Sequence, residues 1–354
     1  MRSDNKDMSK PLKVTRSLLL GFAGGAVAAW FDLPLAWMLG ALVFTMVLSL
    51  GGVEISIPKP FKTSCRMAVG VILGAAVNPE TLSRVGEWPV SLALVVAGVM
   101  LMAVLSTLYY RHVARFDTLT SVSASLPGAI STIPMIAIDM GADPRKMVLP
   151  HLFRITLIIL IIPPLFTLWQ GSGSGRLVAA EQGIDWWGVH LWALLLVPGA
   201  WYLGRLIRLP IPELTGPMIL AAGLSLGGFS VTLPDWLFAV TFVVLGASIG
   251  GRFYRMPMST LLGTGRHALV GNLVTLATTG LVALIIHWLT GVPLPVALLA
   301  VVPGGIAEMA ILAAVLGVDP VFVTFHQIFR SVLINSSAPF ILNRVRRHVA
   351  RRSA

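Results

Sequence analysis

The sequence predicts an all-α polytopic membrane protein made of two inverted repeats, each with about five transmembrane helices plus a re-entrant or broken hairpin. Composition, an internal repeat and the placement of positive charge carry that prediction. Of 354 residues, 56% are hydrophobic and 12% are charged, and the mean hydropathy is +0.85, whereas soluble domains carry roughly a quarter charged residues. Apolar runs such as 88–110, 155–169 and 268–286 approach the ~20 residues needed to cross ~30 Å of hydrocarbon.

The repeat is visible in LSLGG, which occurs at 48–52 and again at 224–228, an offset of 176. Sliding the chain by 176 without a gap places Leu33, Pro34 and Gly40 on Leu209, Pro210 and Gly216, and Gly70 and Gly74 on Gly246 and Gly250. The same shift lays 126–154 over 302–330 and Pro163 over Pro339. The organisation read from this is an N-terminal tail (1–16), repeat 1 (17–170), a linker (171–192), repeat 2 (193–343) and a basic C-terminal tail (344–354). The linker contains GSGSG, the composition of a flexible joint.

Repeat 1 contains six apolar elements. The first, 17–31, ends in GAVAA and resembles a secretory leader, but it aligns with 193–207 inside repeat 2 and so belongs to the fold. The second is 33–50; Gly70 and Gly74 of the third, 61–78, like Gly24 and Gly25 of the first and Gly246 and Gly250 of repeat 2, have the small-residue spacing that lets membrane helices approach closely. The fourth, 88–110, is long and uninterrupted. The fifth, 118–140, is broken by Pro127, Gly128 and Pro134. The sixth, 147–169, follows Asp143-Pro144, an N-cap carboxylate and a proline at the first helical position; Asp319-Pro320 precedes its counterpart.

Charge decides how these elements thread. With the basic N-terminus in the cytoplasm, six crossings per half would leave Arg145, Lys146, Arg205, Arg208, Arg252, Arg255 and Arg266 outside, against the positive-inside rule. If the fifth element and its partner 294–316 dip into the membrane and return, all of these fall inside and Glu181 and Asp185 fall outside. Five crossings per half is an odd number, as inverted halves require. Both termini are then cytoplasmic, in a bacterial inner membrane.

Irregular backbone at membrane depth needs protein or a water-filled cavity to satisfy its peptide groups, so the hairpins imply a cavity. Arg154 and Arg330 lie ten residues into their helices, on the order of 15 Å from the helix starts. An intramembrane arginine faces a partner or water. The readings are a solute site, or a structural ion pair or contact to hairpin carbonyls. Glu308 is a carboxylate inside the second hairpin where the first has Thr132; it is a site for H⁺ or Na⁺, or the neutraliser of Arg330. His151 and Gln327 precede the arginines by one turn, as do Pro150 and His326. The breaks at Pro127 and Gly128, and at Pro303, Gly304 and Gly305, expose N–H groups that can face an anion.

The single cysteine, Cys65, excludes an internal disulfide, and seven histidines are scattered. No nucleotide-binding loop, dinucleotide fingerprint or hydrolase motif is present. No cofactor or metal is expected, and no enzymatic activity. The net charge of +11 sits in short loops and ends instead of one nucleic-acid-binding face.

The pattern of Pro303, Gly304, Gly305, Glu308, Met309, Gly317, Asp319, Gln327 and Arg330 resembles the bacterial AbrB-type membrane family, whose tandem duplication covers 17–343 here. The first copy departs from it at Ala129, Thr132, Ile133 and His151. Family members are labelled transcriptional regulators or ammonia monooxygenases. The first label implies a link to gene expression, although neither tail has room for a helix-turn-helix. The second would need metal ligands that do not cluster. The expectation is a transporter-like protein moving a small anionic organic solute coupled to H⁺ or Na⁺. The alternative is a membrane-embedded ligand sensor affecting gene expression indirectly. Partners are the lipid bilayer and the solute, without direct nucleic-acid binding; self-association stays open.

Overall fold

The structure, a computed structural model, describes residues 10–127, 132–170, 191–229, 233 and 235–353. The first nine residues, Gly128 and most of the linker, with Glu181 and Asp185, lie outside the described residues. The chain is an all-α polytopic membrane protein, without a strand among the described residues.

The first half comprises α1 (Lys10–Trp30), α2 (Ala36–Leu50), α3 (Lys59–Ala75), a short α4 (Pro79–Ser83), α5 (Trp88–Leu108), α6 (Thr118–Ser125), α7 (Thr132–Asp139) and α8 (Pro144–Gln170). The second comprises α9 (Leu191–Leu206), α10 (Pro212–Leu226), α11 (Asp235–Gly250), α12 (Met258–Thr290), α13 (Leu294–Val301), α14 (Ile306–Val315) and α15 (Pro320–Ser353). Five stretches are long and apolar enough to cross a membrane: Lys10–Trp30, Arg84–Val113, Pro144–Phe166, Trp236–Phe253 and Met258–Thr290.

Two boundaries differ from expectation, and one element is broken as expected. The N-terminal tail is helical from Lys10, because Lys13 Nζ donates to Glu54 Oε2 and Arg16 Nη2 to the Glu54 carbonyl, each at 2.9 Å. The basic C-terminal tail continues α15 to Ser353 instead of leaving it. The element 118–140 is two helices of 8 residues each, about 12 Å apiece at 1.5 Å per residue, too short to span hydrocarbon. Asp143 caps α8 as expected, accepting from the Arg145 and Lys146 N–H groups at 2.9 and 3.3 Å.

Backbone conformation recurs at the offset of 176. α2 and α10 start and end 176 residues apart, as do α6 and α13. Left-handed residues pair in the same way: Asp32 with Arg208, Leu35 with Ile211, Gly52 with Gly228, Arg115 with Gly291 and Gly141 with Gly317. A β-branched residue such as Ile211 is strained there (φ 51°), and Leu35, before α2, has the same φ of 51°.

The described chain divides into two compact units. The first contains Met1–Val85, Ile159–Met256 and Ala307–Val321. In it α2 packs on α1 and α11, and α10 packs on α9 and α3. The glycines make this possible: Gly70 and Gly74 of α3 lie against the Leu214 and Met218 carbonyls, and Gly246 and Gly250 of α11 lie against those of Met38 and Leu42. A Cβ at any of the four would collide with backbone, the close packing that membrane helices use where the hydrophobic effect drives no association. Numbering rises together across each contact, so α2 runs with α11 and α3 with α10. The end of α11 meets the start of α3 through Gly251 against Ile55. Arg66 and Glu213, paired at 2.6 Å, bring the start of α10 to the same end. α3 thus begins where its counterpart α11 finishes.

The second unit contains Gly86–Ile158, Pro257–Ile306 and Phe322–Ala354. Its core joins Val95 and Met102 of α5, Ile133 and Ala137 of α7, Ile286 of α12, Ala297 of α13 and Ile334 of α15. α5 and α12, also counterparts, touch at Gly98–Val282, Met102–Thr279 (3.3 Å) and Ser106–Thr275 (3.0 Å), so they run in opposite directions. After α5 the chain makes a π-helical turn, Tyr109–Val113. Tyr110 is buried there, stacked on Phe116 at 5.4 Å and seated against Gly271.

Candidate solute site at the broken helices

In the second unit α13 stops at Val301, and Pro303 supplies no N–H to continue it. A helix that ends inside a membrane leaves its last carbonyls without partners. Two side chains of α15 fill that role. Arg330 Nη1 donates to the Val301 and Val302 carbonyls at 3.1 and 2.6 Å, and Nη2 to the Gly304 carbonyl at 3.3 Å. Gln327 Nε2 donates to the Leu299 and Val302 carbonyls at 2.6 and 2.9 Å. Gln327 Oε1 accepts from Arg330 Nη2 at 2.6 Å, locking the two together. The guanidinium also sits where the helix dipole is negative, by roughly half a charge. The contact to hairpin carbonyls, one of the expected alternatives, is what Arg330 makes.

The charge is not cancelled by this arrangement. Arg330 is 2% exposed and Arg154 5%, the two are within electrostatic reach of each other, and no carboxylate pairs with either among the described residues. Tyr110 lies within electrostatic reach of Arg154. The Nε atoms of both arginines are buried without a hydrogen-bond partner.

The first half repeats the layout with different chemistry. His151 occupies the position of Gln327, and the Leu126 carbonyl lies beside it as Val302 lies beside Gln327. His151 Nδ1 donates to the Met147 carbonyl at 2.9 Å. A neutral ring that donates from Nδ1 has only a lone pair on Nε2, and that atom is buried without a partner.

The remaining predicted residues fall in several places. His326 does not line a cavity: it stacks on Phe322 at 3.9 Å, touches Trp88 and Phe325, and meets Ser91 Oγ at 2.8 Å. Pro150 contributes its carbonyl, which accepts from Asn272 Nδ2 at 3.0 Å. Pro127 is buried, and Gly304 and Gly305 are half-buried. Thr132 begins α7, but its side chain lies outside the described residues, as does Gly128. Glu308 is half-buried on the first turn of α14, in the first unit. The cation it faces in that unit is Arg252, itself near Lys62 and Arg66. Sequence reasoning missed this basic group because its members come from α3 and from the turn after α11, far apart in the chain. It also missed Tyr110, whose inward orientation depends on the π turn.

The family model described as "Transition state regulatory protein AbrB" matches residues 13–346. The chain belongs to the AbrB family. A relative from Bacillus subtilis (strain 168), "Uncharacterized protein YhjN", is 29% identical over 349 residues, covering 91% of this chain and 90% of that protein. Another, "Putative regulator AbrB" of Escherichia coli (strain K12), is 25% identical over 344 residues, covering 96% and 97%. No solved structure matches this AbrB-family chain.

Proposed function

We propose that this AbrB-family chain is a secondary transporter of the bacterial inner membrane, moving a small anionic organic solute coupled to H⁺ or Na⁺. Its two halves are a duplication inserted in opposite orientations, with both termini cytoplasmic. The observation that carries the reading is the pair of buried guanidinium groups of Arg154 and Arg330, the second closing the broken end of α13, with no carboxylate paired to either among the described residues. Two cations in a low-dielectric site favour an anion by several kcal/mol over an empty cavity. The opposed directions of α3 and α11, and of α5 and α12, support inversion, the architecture in which broken helices serve alternating access. Glu308 is the candidate coupling-ion group, and no enzymatic step is assigned.

A second reading, favoured by the name of the Escherichia coli relative, is a membrane sensor that binds the same anion and influences gene expression through a partner. Reconstitution separates the two. Purified protein in liposomes, given small carboxylates and phosphates under an imposed H⁺ or Na⁺ gradient, accumulates one of them if it is a transporter, and Arg154→Gln and Arg330→Gln abolish uptake. Saturable binding with no gradient-driven accumulation would remove the transport reading in favour of the sensor.

A further inference from the structure

The C-terminal turns of α15 carry a second site, apart from the arginines in the membrane. The apolar part of this helix ends at Leu342, and a groove of about 890 Å³ opens along the turns that follow. Phe340, Asn343, Arg344, Arg347 and Arg351 line it on one side and Thr118, at the start of α6, on the other. Residues at 340, 344, 347 and 351 follow the three- and four-residue spacing that puts side chains on one helix face. Arg346 projects from the opposite face and is not part of the lining. No carboxylate lines the groove; the nearby Asp117 is spent on capping α6, accepting from the Thr120 N–H at 2.9 Å.

The two ends of the groove differ in chemistry. Phe340 is 78% exposed, at the apolar end, and the three arginines succeed it over about 16 Å of helix. That length is enough to carry the stripe from an apolar edge past the ~5–8 Å depth of one headgroup layer. Arginine forks match phosphate oxygens two at a time, and basic residues just beyond a membrane helix attract anionic lipid by about 1 kcal/mol each.

We propose that this groove binds the headgroup of an anionic phospholipid, with the phosphodiester held by Arg344, Arg347 and Arg351 and the acyl-glycerol edge resting on Phe340. A soluble phosphate compound shares the anion but has no use for an apolar end, which favours the lipid. The site would anchor the last turns of α15 to the membrane surface and make the protein's stability depend on lipid charge.

The test uses the full chain in neutral detergent, titrated with phosphatidylglycerol, phosphatidylcholine or inorganic phosphate, with thermal unfolding as the readout. Phosphatidylglycerol raises the melting temperature by on the order of 5 °C, and the other two leave it unchanged. The combined variant Arg344→Gln, Arg347→Gln, Arg351→Gln keeps its lipid-free melting temperature and loses the shift, whereas Arg346→Gln retains it. An equal response to phosphatidylcholine overturns the proposal, as does an equal loss in Arg346→Gln, which would mean diffuse charge attraction instead of a groove. A full shift with inorganic phosphate assigns the groove to a soluble anion and overturns the lipid. Should the triple variant not fold, Arg347→Gln with native mass spectrometry of retained lipid reads the same outcome.

Discussion

Gln327 and Arg330 act as one plug: the carboxamide oxygen accepts from the guanidinium at 2.6 Å, and both side chains close the carbonyl end of α13. Gln327→Leu leaves the Leu299 carbonyl without that donor and frees Arg330 to swing. Each lost bond to a buried acceptor is worth about 1–3 kcal/mol, so the variant should unfold at a temperature lower by on the order of 5 °C. Arg330→Lys should behave similarly, because a point ammonium cannot span Val301, Val302 and Gly304 as a planar fork does. A Gln327→Leu protein as stable as the parent would show that the plug contributes nothing.

His151→Gln installs in the first half the residue that the second half uses. Its amide hydrogens can donate to the Leu126 carbonyl beside it. The expected outcome is stabilisation by about 1 kcal/mol, with slower solute uptake if motion at the α6 break limits transport. Thermal unfolding checks the first, and liposome flux the second.

The glycine contacts of the first unit should be equivalent across the offset. Gly70→Ala drives a methyl group into the Leu214 carbonyl, and Gly246→Ala drives one into that of Met38. Each should cost about 1–3 kcal/mol, with similar falls in melting temperature. Gly223 on α10 has open space around a would-be Cβ, and Gly223→Ala should be neutral or stabilising. If all three behave alike, close backbone approach is not what the glycines provide.

Arg115 and Gly291 share a left-handed conformation, with φ of 56° and 70°. A side chain there carries about 1–2 kcal/mol of strain. Arg115→Gly should relieve part of it, and Gly291→Ala, which meets no atom within 4 Å, should introduce it. Opposite shifts of melting temperature are the expected pair of results.

Threading is testable by thiol labelling after Cys65→Ala. A cysteine at 145 should react with an impermeant reagent from the cytoplasmic side, and cysteines at 180 and 290 from the other side. Labelling of position 145 from outside would exclude the returning hairpins.

Sequence by itself determined the medium and the helix starts at Pro144 and Pro320. These depend on local composition, on proline and glycine, and on cap residues such as Asp143, all of which act within a few residues. It also located the break in 118–140, which falls at Pro127 after the end of α6, whereas Pro134 is accommodated inside α7. Only the tertiary structure decided what each buried group touches. Arg330 and His326 are four residues apart on one helix, and yet the first closes a neighbouring helix end while the second disappears among Trp88, Phe322 and Phe325. Which face of a helix meets which neighbour depends on packing between segments more than a hundred residues apart, and no local pattern encodes it.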